Sequence, residues 1–214
     1  MSPQNQSKKS EDNQQEELEI IQQVFEYCES GSTHLQPDAL LNPVDHYASA
    51  AQLDKEISIL FRDFPIIVAH VEQLKDRGQF ITHNDTGVPL LVTRNREGEV
   101  KAFINVCRHR GAKVESAPCG KANTFSCPYH SWTYDLDGKL RGLPHAATFG
   151  DIDKSSYGLV EVPAFERFGL IWVRPKKQNE DSLPNIDSWL APMANQLGDL
   201  DLASHSIYKT WSVN

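Results

Sequence analysis

From Phe64 to Arg174 the chain alternates short apolar runs with polar turn residues. The runs IIVAH, QFITH, VPLLVT and VKAFINV are rich in β-branched residues and are separated by segments such as DTG and NREGE. Short runs of this kind, bounded by turn residues, are typical of β-strands. WTYDLDGKLRG predicts a hairpin that turns at Asp137 and Gly138, and YGLVEVPAFERFGLIWVRP predicts two more strands. The middle of the chain is therefore predicted to be a small antiparallel β domain.

Helical periodicity occurs on both sides of this domain. Apolar residues at helical spacing predict a helix over about Asn13–Glu29, with Gly31 as its stop. In SAAQLDKEISILFRDF, Ser49 and Gln52 form a capping box for a second helix. LPNIDSWLAPMANQL predicts a third helix, and SHSIYKTWSVN is predicted to begin another strand. Residues 1–14 are polar and charged and are predicted to be disordered.

Composition narrows the classes of function. The chain has 214 residues and a net charge of −8, which disfavours a nucleic-acid partner because phosphate binding needs clustered Lys and Arg. It has no run of 18 apolar residues, so no membrane span is predicted, and its N-terminus lacks the apolar stretch of a secretory signal. Four cysteines are too few for a disulfide scaffold, which predicts a reducing, cytoplasmic location.

Cysteine and histidine are concentrated in one stretch, CRHRGAKVESAPCGKANTFSCPYH. The order is Cys107-x-His109, then 17 residues, then Cys127-x-x-His130. Each pair lies in a short, turn-like segment. Two separate loops are therefore predicted to present one thiolate and one imidazole each to a shared metal centre.

This pattern has three interpretations. The first is chance, with buried cysteines and surface histidines. The second is a structural zinc site with two Cys and two His ligands. The third is a Rieske 2Fe-2S cluster, in which two cysteines bind one iron and two histidines bind the other. Zinc sites more often use C-x-x-C knuckles or place both cysteines before both histidines, so the interleaved order favours the Rieske cluster.

The stretches CRHRGA and CPYHSWTYDLDGKL resemble the Rieske motif of alpha subunits of ring-hydroxylating, Rieske-type non-haem iron oxygenases. The resemblance extends over Tyr47–Arg174, through GVPLLVTRNREGEVKAFINV and FGLIWVRP. It implies a mainly β fold with flanking helices, in which a small antiparallel β Rieske domain is part of an α+β oxygenase subunit. It also implies that Cys107, His109, Cys127 and His130 bind the 2Fe-2S cluster.

The resemblance also draws attention to residues beside these ligands. Arg110 could supply positive charge near the cluster or pair with carboxylates of the same domain. Tyr129 and Trp132 could cover the cluster, form a subunit contact or simply pack in the core. Ser131 stands where the family usually has glycine, and it adds a side chain and a hydroxyl beside the cluster. Cys119 is expected to be a free thiol in the connecting loop.

The same resemblance divides the chain into four segments. These are a disordered tail over 1–14, a helical lead-in over 15–63, the Rieske domain over 64–176, and a segment over 177–214. The last would hold a linker helix and the first strand of a truncated catalytic domain. The family's mononuclear iron(II) site uses an Asp and a His-x-x-x-x-His motif, which the sequence lacks. That site is expected beyond Asn214, and no catalytic residue is assigned within the chain.

The implied function is electron transfer within an oxygenase. An NAD(P)H-dependent reductase, a ferredoxin or both would reduce the Rieske cluster, and the electrons would pass to the mononuclear iron that oxidises an organic substrate. The full-length protein is expected to be a homotrimer or an alpha/beta hetero-oligomer. The alternatives are a stand-alone Rieske ferredoxin that only carries electrons and a zinc-stabilised binding module. The reading frame after Asn214 separates the oxygenase from the ferredoxin, and iron and sulfide analysis separates both from the zinc module.

Overall fold

The computed structural model describes residues 3–35, 38–176 and 185–211. The chain divides into two compact units, residues 1–47 and 48–214. The polar break predicted after Arg174 falls mainly on residues outside the described part. Within the described residues, no helix has both the length and the apolar character needed to cross a membrane.

The first unit consists mainly of helix α1, Pro3–Ser30. Over residues 3–14 the structure therefore differs from the disordered tail predicted for 1–14, and residues 1–2 lie outside the described part. This segment is rich in Gln, Glu and Lys, which have high helix propensity, and a proline fits the first turn because its missing N–H would have no partner there. Gly31 ends the helix as predicted, with the left-handed backbone (φ 60°) common at helix C-termini.

Two helices precede the β domain of the second unit, α2 (Asp45–Ala48) and α3 (Ala50–Ser58). Ser49 is the N-cap of α3, as predicted, and its side chain accepts a hydrogen bond from the N–H of Gln52 (3.4 Å). A π-helical turn, Ile59–Asp63, continues the chain to Pro65, before which a helical conformation is disfavoured.

The described residues contain eleven strands. They are β1 Ile66–His70, β2 Gln79–His83, β3 Leu90–Arg94, β4 Val100–Ile104, β5 Cys119–Lys121, β6 Thr124–Ser126, β7 Thr133–Asp135, β8 Leu140–Gly142, β9 Glu161–Val162, β10 Ala164–Arg167 and β11 Leu170–Val173. They form three antiparallel sheets with the orders β1-β11-β10, β5-β2-β3-β4-β9 and β6-β7-β8. The mainly β, antiparallel class predicted from the sequence is thereby confirmed.

The five-stranded sheet has a hydrophobic core on each face. Successive side chains of a strand point to opposite faces, so Leu90 and Val92 of β3 enter one core and Leu91 enters the other. The first core also holds Ile171 and Val173 from β11. Because β3 is covered on both faces, it begins with the continuous apolar run LLV and does not alternate between apolar and polar residues.

The second core supports the loops that carry the candidate ligands. Its buried members are Phe80, Leu91, Phe103, Cys107, Val114, Phe125, Cys127, Trp132, Tyr134, Leu136, Leu140, Leu143 and Leu159. Phe80 and Phe125 meet edge to face, with ring centroids 5.2 Å apart, and such a pair adds about 0.5–1.5 kcal/mol beyond the burial of area. The two cysteines are thus part of the packed interior.

The helix predicted in LPNIDSWLAPMANQL is broken in two. Helix α4 (Ile186–Leu190) is followed by a 3-10 turn at Ala191–Met193 and by helix α5 (Ala194–Asp199). Pro192 explains the break, because a proline inside a helix removes one backbone hydrogen bond and clashes with the preceding turn. Helix α4 packs against Trp172 of β11.

The strand predicted in SHSIYKTWSVN does not form over its described part. A 3-10 turn at Leu202–Ser204 is followed by irregular backbone over 205–211. The N–H of Ile207 donates to the Glu72 carboxylate (2.7 Å) and not to a neighbouring strand. Residues 212–214 lie outside the described part.

Candidate metal centre

The first ligand loop begins at Cys107, shortly after β4. The N–H of Cys107 donates to the carbonyl of Ala112 (2.8 Å), and the N–H of Gly111 donates to the carbonyl of Cys107 (3.0 Å). Gly111 has a left-handed backbone (φ 74°), which glycine adopts without steric cost. These two bonds close the loop on Cys107 and keep His109 within it.

The second ligand loop repeats this backbone geometry. The N–H of Cys127 donates to the carbonyl of Trp132 (2.8 Å), and the N–H of Ser131 donates to the carbonyl of Cys127 (2.9 Å). Ser131 occupies the place that Gly111 has in the first loop, and it has the same left-handed backbone (φ 58°). Replacing the family's glycine with serine therefore strains the backbone of this loop, because a Cβ is crowded in the left-handed conformation.

The two loops bring the four predicted ligands together as two pairs. Cys107 and Cys127 are 3% and 2% exposed, their thiols contact each other, and neither forms a disulfide. The rings of His109 and His130 are 4.6 Å apart between centroids. Among the described residues, no three Cys, His, Asp or Glu side chains are grouped so that they could hold one metal ion. Thiols and imidazoles are both donor types that bind transition metals.

The imidazole nitrogens are placed for metal binding. The Nδ1 atoms of His109 and His130 are buried, and neither has a hydrogen-bond partner within the described structure. A buried polar atom without a partner costs about 1–3 kcal/mol, and bonding to a metal removes that cost. The Nδ1 atoms are therefore the candidate donors of both histidines.

Protonation of the site follows from its burial. Burial raises the pKa of the Cys107 thiol, and the neighbouring Cys127 raises it further. Burial also lowers the pKa of His109, with added repulsion from His130 and Arg110, which favours the neutral ring that binds metals. A buried thiol keeps its proton unless a metal replaces it, so the site is suited to a metal group that holds both sulfurs as thiolates.

Tyr134 of β7 is a site residue that the sequence analysis missed. Its hydroxyl lies 3.3 Å from the sulfur of Cys107 and accepts the N–H of Arg108 (3.1 Å), so its own hydrogen is free to point to the sulfur. Burial raises the pKa of Tyr134, which keeps the hydroxyl a donor. The sequence WTYDL alternates large apolar or aromatic residues with polar ones, which indicates that Tyr134 is buried. Trp132, Tyr134 and Leu136 are indeed all buried.

The other predicted neighbours of the site have different environments. Trp132 is 2% exposed and stacks on the His109 ring at 4.9 Å and 8°. Tyr129 lies against His130, with centroids 3.8 Å apart, but remains 60% exposed. Arg110 is exposed. Cys119 is a free, exposed thiol outside the site, as expected, but it lies on strand β5 and not in a loop.

The comparison with protein families agrees with this geometry. The family model for the Rieske [2Fe-2S] domain matches residues 64–166, which include both ligand loops. This part of the chain is a Rieske [2Fe-2S] domain. Its cofactor is accordingly a Rieske 2Fe-2S cluster, and the paired buried thiols and paired inward Nδ1 atoms fit that group.

Curated relatives of this Rieske protein are subunits of oxygenases. The carnitine monooxygenase oxygenase subunit of Acinetobacter pittii is 30% identical over 180 residues, which is 80% of this chain and 48% of that protein. The biphenyl 2,3-dioxygenase subunit alpha of Rhodococcus jostii is 31% identical over 146 residues, covering 67% of this chain and 31% of that protein. The chain thus spans about half the length of the first relative and less than a third of the second.

Solved structures give the same relationship for the Rieske chain. The apo form of a quaternary ammonium Rieske monooxygenase superposes with a TM-score of 0.67 and 29% identity, covering 75% of this chain and 46% of that one. Naphthalene 1,2-dioxygenase from a Rhodococcus species gives a TM-score of 0.68 and 26% identity, covering 74% and 36%. The sequence-based recognition of a Rieske oxygenase domain is confirmed.

Proposed function

We propose that Cys107 and Cys127 bind one iron of the 2Fe-2S cluster and that His109 and His130 bind the other through Nδ1. The single observation that carries this assignment is the pair of buried Nδ1 atoms without partners beside the pair of buried, contacting thiols. Two neutral imidazoles in place of two thiolates make the centre less negative, which favours its reduction.

The bound cluster supplies one-electron transfer, and the surrounding residues adjust it. The Tyr134 hydroxyl and the N–H of His109 both lie against the sulfur of Cys107 as donors. Donors to a ligand sulfur stabilise the extra negative charge of the reduced state, so they raise the reduction potential. Arg110 adds positive charge near His109, which acts in the same direction.

The larger proposal is that this domain serves as the electron-transfer part of a Rieske non-haem iron oxygenase. It is supported by oxygenase relatives that match up to 80% of the chain. An NAD(P)H-dependent reductase, a ferredoxin or both would supply the electrons, in the cytoplasm, and the subunit would assemble as a homotrimer or an alpha/beta hetero-oligomer. Because the relatives' names include carnitine and biphenyl, we propose an organic substrate without a narrower class.

Iron and acid-labile sulfide analysis of the purified chain tests the cluster assignment. We expect about two irons and two sulfides per chain. Cys107→Ser should lose both, whereas Cys119→Ser, which changes an exposed thiol outside the site, should retain them. Stoichiometric zinc without sulfide would show a structural zinc site and would contradict the proposal.

A further inference from the structure

A segment outside the two ligand loops covers one of the candidate histidines. It contains two 3-10 turns, Ala146–Phe149 and Lys154–Tyr157. The ring of Phe149 meets the ring of His109 edge-on, with centroids 5.6 Å apart and planes at 79°. The first turn of this segment therefore places an aromatic edge directly on a proposed ligand.

The same segment also contacts the indole that stacks on His109. Phe149 meets Trp132 edge-on at 5.6 Å and 73°, and Tyr157 meets it at 5.8 Å and 77°. Edge-to-face geometry is the favourable arrangement of aromatic pairs, and each pair is worth a factor of about 2 to 12 in an equilibrium constant. Phe149 and Tyr157 thus hold Trp132 in the position from which it covers His109.

The two proposed histidine ligands are covered unequally. His109 contacts Trp132, which is 2% exposed, and Phe149, which is 38% exposed. Besides the His109 ring, the aromatic ring found against His130 in the described structure is that of Tyr129, which is itself 60% exposed. Aromatic side chains therefore shield the His109 side of the site from solvent more than the His130 side.

Local bonds fix the covering segment in place. The Asp153 carboxylate caps the second turn by accepting from the N–H of Ser155 (2.9 Å) and from the hydroxyl of Ser156 (3.0 Å). The ammonium of Lys154 donates to the carbonyl of Arg141 (3.4 Å). Ile152, between the two turns, packs against the core that contains the ligand cysteines. Lys154 therefore connects the segment to the exposed backbone at Arg141, and Ile152 connects it to the core.

We propose that Phe149 and Tyr157 are positioning residues of the metal centre. They fix the Trp132 indole against the His109 ring and exclude water from that side, which leaves His130 as the more accessible ligand. The proposal rests on the ligand roles proposed for His109 and His130. It assigns the segment around the two 3-10 turns a role in protecting the cluster and not only in closing the core.

Carbethoxylation by diethyl pyrocarbonate, mapped by mass spectrometry of peptides, tests the cover in the metal-free full chain. Phe149→Ala should speed the modification of His109 about fivefold and leave that of His130 within about twofold. Tyr157→Ala should also speed the modification of His109. Phe149→Tyr, which keeps an aromatic ring, should leave His109 as slow to react as in wild type. Phe61→Ala is the matched control, because Phe61 is similarly exposed (45%) but lies in the turn before β1.

Two outcomes would overturn the proposal. One is an equal rise at His109 and His130, which would indicate general loosening, and the other is no rise at His109 in either alanine variant. If near-ultraviolet circular dichroism shows that Phe149→Ala does not fold, the modification rates of His109 and His130 are compared in Phe149→Leu and Tyr157→Ala instead.

The iron-loaded chain provides a second readout. Phe149→Ala should lose its visible absorbance about fivefold faster than wild type in excess iron chelator, and an unchanged rate would contradict the proposal. A wild-type chain that binds no iron or sulfide would contradict the ligand assignment. The carbethoxylation rate of His109 tests the aromatic cover separately, because it is measured without the cluster. The two failures are therefore distinguishable.

Discussion

At the scale of single residues, the sulfur of Cys107 has donors on two sides. The N–H of His109 and the hydroxyl of Tyr134 both reach it, and the N–H of Arg108 orients that hydroxyl. The assignment of the four ligands stays a prediction, and it comes from the sequence because the interleaved order of Cys and His is typical of a Rieske cluster. The alternation in WTYDL indicates that Tyr134 is buried, but it does not indicate the contact with Cys107, which spans 27 positions of the chain and depends on how β7 packs against the first loop.

Removal of the Tyr134 hydroxyl tests its role at the sulfur. Tyr134→Phe should lower the reduction potential by about 50 mV, which corresponds to about 1 kcal/mol for one electron, because the reduced state loses a hydrogen bond. Protein-film voltammetry measures the shift. Tyr129→Phe is the matched control, since the exposed Tyr129 lies against His130, and equal shifts in both variants would refute a specific role for Tyr134.

Ser131 gives a second prediction at the residue scale. Its left-handed backbone strains a residue with a Cβ by about 1–2 kcal/mol, and glycine relieves that strain at the cost of a more flexible unfolded chain. Ser131→Gly should therefore raise the free energy of unfolding by about 0.5–1 kcal/mol. Urea denaturation measures it, and a destabilised variant would show that the serine side chain itself supports the loop.

At the scale of elements, sequence predicted the longer strands well and the short strands and irregular parts poorly. The runs IIVAH, QFITH, VPLLVT and VKAFINV all became strands, because each buries one or both faces in a core. YGLVEVPAFERFGLIWVRP forms three strands and not the predicted two, and the short strands β5 and β6 were not predicted. The helix after Asn185 is broken at Pro192, and the strand expected after Ser204 is absent from 205–211. A strand needs a neighbour to pair with, and that partner cannot be read from the strand's own sequence.

The segment after Leu202 is instead held by side chains and by a glycine. The Glu72 N–H donates to Nδ1 of His70, so Nε2 carries the hydrogen that bonds the carbonyl of Leu202 (2.6 Å). The bond from Ile207 lowers the pKa of the Glu72 carboxyl. This contact therefore stabilises the fold at pH values above the ordinary pKa of a glutamate. Its contribution is lost as the pH falls through the lowered pKa of Glu72.

Among the glycines, Gly169 leaves the least room for a side chain. It has a left-handed backbone (φ 75°), and a Cβ there would overlap the backbone nitrogen of Ala203 and lie 2.7 Å from its Cα. Gly169→Ala should cost about 1–3 kcal/mol and speed hydrogen exchange over 202–207.

Gly31→Ala is the control for this variant, because Gly31 shares the left-handed backbone but a Cβ added to it would meet no atom within 4 Å. It should leave exchange over 202–207 unchanged. Protection of 202–207 that is equal in both variants would show that Gly169 does not hold this turn.

At the scale of the whole molecule, the β domain places the ligand loops on a core of its own. One core joins the first sheet to the five-stranded sheet, and the other joins that sheet to the two ligand loops and β6-β7-β8. The loops therefore rest on packed strands, which favours a fixed geometry of the four proposed ligands. Bound metal should also stabilise the fold, since the unfolded chain has no preformed site.

Electron paramagnetic resonance of the dithionite-reduced, iron-loaded chain tests the central assignment most directly. Two imidazole ligands on one iron should give a rhombic signal whose average g value is below that of clusters held by four thiolates. His109→Cys should abolish that signature. A wild-type signal with the average g value of a four-thiolate cluster, or a chain that carries zinc and gives no signal, would contradict the assignment of Cys107, His109, Cys127 and His130.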